Sequence, residues 1–419
     1  MIILSHPSGN ENVRQAVRAL SERGLLGEFW TSVRWDPQYK INKLLPEKLT
    51  RELNRRAFPH LCSDRVHLSP SRESGRLLAR QLGLSKLTRR EGGFFSLDAV
   101  YRSLDGKVAE RLENTSNVDG VYAYEDGALA TFRQAKRLNM KTIYELPIGY
   151  WRSYQELIAE EAELRPEWAS TLQGIEDSPQ KLRRKDEELA LSSHIIVPST
   201  FVKQTLSKAC PLSAEVTVIP YGAPAIQARE TEERPSGDKL KVIFVGSLTQ
   251  RKGISYLLEA VEQLEPSIEL TLIGLKAGEC KVLDRALHRR RWIPSLPHSA
   301  VLEEIGRHDV MVFPSLFEGF GLVILEAMAK GVPVITTPHS GAGDFLDSGH
   351  DGFIVPIRSA DAIAEKLELL SSDREYLAAL SQAAIRKAQL HSWNIYRQRL
   401  VKAVKRALGT SEPAAIAVS

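Results

Sequence analysis

Apolar positions along this chain fall into short runs that alternate with helical periods. From residue 1 the run IILS passes through a loop carrying Gly9 into VRQAVRALSERG, where Val13, Ala16, Val17 and Leu20 recur at helix spacing and Gly24 suits the C-terminal cap. Units of the same kind return at VDGVYAYEDGALATFRQAKRLN, MKTIYELPIG, KLRRKDEELALSS running into HIIVPST and FVKQTLSKA, and VTVIPYGA. Strands that alternate with helices predict a parallel sheet covered on both faces. After Gly222 the period stops: PAIQARETEERPSGDK is polar, charged and proline-bearing, and reads as an interdomain linker.

The alternation restarts with the strand KLKVIFVGS, the helix ISYLLEAVEQL, the strand ELTLIGL, a basic segment RALHRRRWIPSLP, the helix SAVLEEIGRH and the strand DVMVFPS. A second doubly wound domain is the economical reading. DAIAEKLELLSS and REYLAALSQAAIRKAQL follow as amphipathic helices. WNIYRQRLVKAVKRAL, with Ser392 as candidate cap and Gly409 at its end, is the last. The expected organisation is an α/β chain of two Rossmann-like domains, 1–223 and 239–391, facing each other across a cleft. Residues 224–238 link them, 392–409 form a terminal helix, and 410–419 are expected to be a disordered tail.

Length agrees with this division, because 419 residues exceed one ordinary core. A hydrophobic content of 43% with 26% charged residues is that of a globular protein, and no run approaches the ~18 apolar residues of a spanning helix. The opening MIILSHPSGN reads as a first strand and not as a signal peptide. Cys62, Cys210 and Cys280 stand far apart, without C-x-x-C spacing, which speaks against a disulfide framework and against zinc, and suits a reducing cytoplasm. A net charge of +4 is too small to point to nucleic acid, and no nucleic-acid-binding signature is present. Basic residues nevertheless dominate between 34 and 111, among them Arg55, Arg56, Arg76, Arg80, Lys86, Arg89 and Arg90. They form either a solvated helix face or a surface for peripheral contact with an anionic membrane.

Ligands of such folds bind beyond the carboxyl ends of the strands, which singles out two loops of the second domain. In FVGSLTQRKGISYLLEA the turn into the helix holds Gly246, Ser247, Arg251, Lys252 and Gly253: backbone amides with cations beside them, fit for a phosphate. It is neither a Walker loop nor a dinucleotide fingerprint, and an ordinary tight turn with exposed cations is the alternative. In FPSLFEGFGLVILEAMAK, Gly319 and Gly321 flank Phe320 ahead of a helix that begins near Leu322, so backbone and helix terminus can approach an anion. Glu318 lies in this loop. Glu326 lies in a helix apolar on nearly every face, where an unpaired carboxylate would cost several kcal/mol (order of magnitude), so it needs a partner, either Lys330 one turn on or a ligand hydroxyl. In the first domain the strand-end segments YEDG, with Glu125 and Asp126, and LPIGYWRS, with Tyr150 and Trp151, fit sugar binding and ring stacking. A turn and buried aromatics fit them equally.

GSLTQRKG, FPSLFEGFGLVILEAMAKGVPVI, GAGDFL and DGFIVP, together with PSTFVK and VIPYGAP, resemble the retaining nucleotide-sugar glycosyltransferases of family 4, which have the GT-B fold. The likeness is dense from about Ser192 to Ser392 and general before Tyr150. It implies that Glu318 contacts the transferred sugar and Glu326 the ribose, that Gly319, Phe320, Gly321 and Leu322 meet sugar and diphosphate, and that Lys252, helped by Arg251, neutralises the diphosphate. By the same token the donor is a nucleoside-diphosphate sugar, the acceptor a glycan or a lipid-linked sugar, and the first domain its side of the cleft. Gly9 and Ser247 belong to the substrate-binding set, and the terminal helix crosses back to the first domain.

Two positions depart from the pattern. Ser247 stands where the family usually has arginine, and no histidine accompanies KTIYELPIG. No D-x-D motif occurs, so no metal and no other cofactor is expected. Lacking an evident enzymic nucleophile, the resemblance implies acceptor attack on the leaving-group side, with a donor phosphate oxygen taking the proton. The rival readings are a nucleotide-sugar epimerase on the same plan and a non-catalytic nucleotide-sugar-binding scaffold.

Overall fold

The computed structural model describes residues 1–36, 38, 50, 53–54, 56–58, 61, 63–172, 177–225 and 239–410. Residues 226–238 of the expected linker, the tail beyond 410, Arg55 and Cys62 lie outside the described residues.

The alternation resolves into two parallel sheets. The first contains β1 (Ile2–Ser5), β2 (Leu26–Thr31), β3 (Val66–Leu68), β4 (Gly120–Tyr124), β5 (Lys141–Glu145), β6 (His194–Val197) and β7 (Glu215–Val218), in the order β3-β2-β1-β4-β5-β6-β7. The second contains β8 (Leu240–Val245), β9 (Ile268–Ile273), β10 (Arg291–Ile293), β11 (Val310–Phe313), β12 (Val334–Thr336) and β13 (Phe353–Ile354), in the order β10-β9-β8-β11-β12-β13. Both start in the middle and wind outward in turn, so the direction of winding reverses where β1 meets β4 and where β8 meets β11. All four residues of β1 and of β11 are buried, as strands covered by helices on both faces require.

The basic segment RALHRRRWIPSLP holds more structure than its charge suggests. It contains the last turn of the helix Lys281–His288 and the edge strand β10, where Trp292 donates its indole N–H to the Gly274 carbonyl at 2.9 Å.

Two excursions tie the halves together. The terminal helix Trp393–Ala407 lies on the helix Glu11–Glu22, burying Tyr396, Leu400, Ala403 and Val404. Arg397 donates to Gln15 at 2.6 Å, and the Ala223 amide donates to the His391 carbonyl at 2.7 Å. Ser392 stands at the N-cap position without a capping side-chain bond, and its backbone forms a bridge to Ala223. Between β5 and β6, the helix Trp151–Leu164 and the 3-10 turn Pro166–Thr171, with Trp168 buried, leave the first domain and pack the turn against residues 250–252 and the helix Lys281–His288 of the second. Among the described residues, no helix is long and apolar enough to cross a membrane.

Candidate active site between the two domains

The loop after β8 closes as a 3-10 turn, Gln250–Lys252, ended by Gly253 at φ 71°. Only glycine fits there: a Cβ would lie 2.0 Å from the Pro314 carbonyl oxygen. The turn is thus locked against the loop after β11. Arg251 donates to the Phe317 carbonyl at 2.7 Å and lies 3.3 Å from Glu318. Lys252 makes a direct ion pair with the same Glu318 oxygen, its ammonium 4.6 Å from the centre of the Phe313 ring. Burial, and next the Arg251 charge, push the Lys252 ammonium well below its ordinary range, so this is a cation that depends on nearby negative charge. Arg251 is lowered by burial as well. Ser247 is exposed, one residue after Gly246.

The loop after β11 is packed onto the first domain. Ser199 donates to the Gly319 carbonyl at 2.7 Å, and a Cβ on Gly319 would lie 1.8 Å from the Pro147 carbonyl oxygen. Phe320 packs on Tyr221 and Phe345, and the Gly321 amide donates to the Ser340 carbonyl at 3.0 Å. The helix Leu322–Ala329 follows, and here expectation and structure differ. Its residues Leu322, Val323 and Glu326 are only half-buried, and Leu322 and Glu326 border a cavity. Glu326, with 17% of its side chain exposed, meets His298 at 2.9 Å. That bond pushes the His298 imidazole above its usual pKa. Nothing in the sequence around PSLPHSAV announces His298. Its only signal is its place at the start of a helix, and the fold alone brings it to Glu326.

The cavity measures about 800 Å³ and is walled by Gly9, Glu11, Arg14, His298, Leu322 and Glu326, among others. A second cavity, about 280 Å³, is lined by Glu125, Trp151, Lys185, Arg251 and Phe317 with their neighbours. The expected site residues therefore divide. Gly9, Leu322 and Glu326 share the large cavity, Glu125, Trp151 and Arg251 the small one, and the Lys252–Glu318 pair touches Arg251.

The first-domain candidates are already engaged. Glu125 pairs with Lys185 at 3.2 Å, and Asp126, at φ 72°, lies 3.1 Å from Arg184 and 3.6 Å from Lys181. Burial raises the Glu125 carboxyl, whereas Lys185 and its neighbouring cations, outweighing burial, hold Asp126 low. Tyr150 and Trp151 both donate to one Asp186 oxygen, at 2.6 and 2.7 Å. Their rings are tilted by 54°, and the Arg152 guanidinium sits 4.1 Å over Trp151. Tyr150 is pushed up to about 12, by burial first.

Two further groups near Gly9 escape sequence reasoning. His6, at the end of β1, is buried beside Tyr124 with Nδ1 2.6 Å from the Ser8 carbonyl oxygen, and burial lowers it to about 4. Glu145, at the end of β5, is buried and accepts from Tyr122 at 2.5 Å, Tyr221 at 2.7 Å and Asn12 at 3.3 Å. Among the described residues, no group of three or more His, Cys, Asp or Glu side chains is placed to hold a metal ion.

Residues 226–387 match the family model described as Glycosyl transferases group 1. Glycogen synthase of Mycobacterium tuberculosis is 30% identical over 168 residues, which span 38% of this chain and 41% of that protein. Over their whole length the sheets superpose on solved structures: sucrose-phosphate synthase from Thermosynechococcus elongatus, at TM-score 0.69 and 18% identity, covering 98% of this chain and 99% of the other. Anabaena Alr3699/HepE, solved in complex with UDP-glucose, gives 0.63 at 16% identity, covering 97% and 99%. The fold is GT-B, and the family resemblance carried by GSLTQRKG and FPSLFEGFGLVILEAMAKGVPVI holds across the matched residues of the second domain.

Proposed function

We propose, from a second domain that matches group 1 glycosyltransferases, that this chain is a retaining, metal-independent glycosyltransferase. It would move a hexose from a nucleoside-diphosphate sugar to a glycan or lipid-linked acceptor. The observation that carries this reading is the meeting of Arg251, Lys252 and Glu318 where two βα loops of the second domain face the first. A buried lysine whose ammonium is destabilised by its surroundings binds a diphosphate strongly, and more strongly as negative charge grows on the leaving group. Donor entry would then transfer Lys252 from Glu318 to phosphate and release that carboxylate to accept from a sugar hydroxyl. Glu326, at the wall of the large cavity, is suited to the ribose hydroxyls, with Gly9 on the opposite domain close enough for backbone approach.

The surface of the first domain supports a peripheral, cytoplasmic-face location. Leu78, Leu82, Leu84, Leu87 and Phe94 are exposed, and Arg80, Lys86, Arg89 and Arg90 are exposed alongside them in the same stretch between β3 and β4. Apolar and cationic side chains together fit an anionic lipid surface, and Leu97 at the rim of the large cavity would connect that surface with an acceptor's path.

A thermal-shift panel of nucleotide-sugars tests the donor, since a ligand that binds the folded state raises its stability by RT ln(1 + [L]/Kd). Transfer assays with and without a chelator follow, using the stabilising donor. Stabilisation with no transfer to any acceptor would favour a binding scaffold, and an altered free nucleotide-sugar an epimerase. No stabilisation by any donor would refute the reading.

A further inference from the structure

The turn that carries Arg251 and Lys252 is held from two sides, and one side belongs to the other domain. Gln250, its first residue, is wholly buried. Its amide N–H donates to Thr171 Oγ1 at 2.9 Å, and its side-chain Nε2 donates to Glu161 Oε1 at 2.7 Å and to Ser255 Oγ at 2.7 Å. Glu161 and Thr171 both come from the excursion Trp151–Thr171 of the first domain.

Glu161 is 0% exposed. Among the described residues its carboxylate has three donors, all from the second domain: Gln250, the Tyr256 hydroxyl at 2.9 Å and Arg358 Nε at 2.7 Å. A carboxylate withdrawn from water in this way is tolerated only where its partners are fixed. The surroundings fix them. Arg358 holds φ 62°, in the left-handed region that residues with a Cβ avoid. Gly278, at φ 70°, lets the Ser170 carbonyl approach so closely that a Cβ would lie 2.0 Å from it. Arg165 grips Glu259 through two bonds of 2.6 and 2.8 Å, and Ser170 donates to the Glu279 carbonyl at 2.7 Å. The excursion therefore belongs to the first domain by connectivity and to the second by packing. The domains cannot separate along this side without breaking the bonds of Glu161 or carrying the excursion with the second domain.

We propose that Glu161 is a positioning residue for the phosphate turn: it holds Gln250, and through Gln250 sets the neighbouring Arg251 and Lys252, only while the excursion is docked. The inference rests on the reading that this turn holds the donor diphosphate.

The test uses the full chain and calorimetric titration with UDP, GDP and ADP, together with donor kinetics and melting. Glu161→Gln is compared with Ser170→Ala, which weakens the same docked segment by removing the bond to the Glu279 carbonyl and touches neither the turn nor a donor of Glu161. Glu161→Gln lowers affinity for the preferred diphosphate about tenfold and lowers kcat as well, while Ser170→Ala lowers the melting temperature with affinity unchanged. Should Glu161→Gln fail to fold, Thr171→Val, which removes the hydroxyl that accepts from the Gln250 amide and donates to the Trp168 carbonyl, must show the same loss of affinity. Unchanged affinity in Glu161→Gln, or equal losses in both variants, overturns the positioning role while leaving the diphosphate reading in place. Wild-type protein that binds none of the three nucleotides overturns that reading and this inference with it.

Discussion

Lys252 and Glu318, 66 residues apart in the chain, form an ion pair of which little is open to water. Each comes from the loop after a central strand of the second sheet, and Arg251 reaches the same carboxylate oxygen at 3.3 Å. Glu318→Gln therefore leaves a buried ammonium without its anion. We expect a loss of about 3 kcal/mol from that variant and a similar loss from Lys252→Met, with the double variant recovering much of it. Denaturant unfolding of all three variants checks this, and strictly additive losses would show that the pair is not coupled.

Ligand binding should separate the two carboxylates of the E-x7-E segment. Glu326→Gln removes an acceptor proposed for the ribose and weakens the sugar-free nucleoside diphosphate by about 1–3 kcal/mol. Glu318→Gln spares that nucleotide and damages transfer. Lys252→Ala weakens the diphosphate and also lowers kcat, because the charge it faces grows in the transition state. Calorimetry on variants whose folding has been verified decides, and equal loss in both glutamate variants would contradict the separate roles.

Acid should destabilise the first domain through His6. Its folded pKa is about 4, lowered by burial from an ordinary value near 6.5. Between these values the unfolded chain binds a proton that the folded chain refuses, so stability is full above about 6.5 and declines as pH falls towards 4. Within that window the slope from one such group approaches about 1.4 kcal/mol per pH unit. His6→Gln should flatten the slope between pH 6.5 and 4, whatever it does to stability at neutral pH. Parallel pH profiles for the two proteins would assign the acid sensitivity elsewhere.

The terminal helix should stabilise the domain it does not follow in sequence. Leu400 is fully buried, and Leu400→Ala should cost about 2–5 kcal/mol. A chain ending before Ser392 would expose the apolar face of the helix Glu11–Glu22 and melt well below the full-length protein. An unchanged melting temperature after truncation would show that the packing contributes nothing.

Much of this architecture is local and so is written in the sequence. Continuous apolar runs such as VMVF and IILS specify covered parallel strands, and glycines mark the turns where the backbone comes close, Gly253 and Gly319 among them. The charged residues in otherwise apolar loops, Lys252, Glu318 and Glu326, stand out for the same reason: burying charge is costly, and a chain retains it where something pairs with it. Partners are another matter, because they depend on which strands become neighbours. Nothing along the chain joins Lys252 to Glu318, Glu326 to His298, or Glu161 to Gln250 and Arg358. The acidic pair in YEDG reads like a sugar-binding corner, yet folding surrounds it with Lys181, Arg184 and Lys185 from a helix that the sequence presents as an ordinary charged face. Sequence alone determined which segments are strands, which loops close tightly and which charges need a partner, since these follow from short-range sterics and solvation. Only the tertiary structure decided who the partners are, because an ion pair is set by distance in space and side chains remote in the chain acquire that distance when the two sheets assemble.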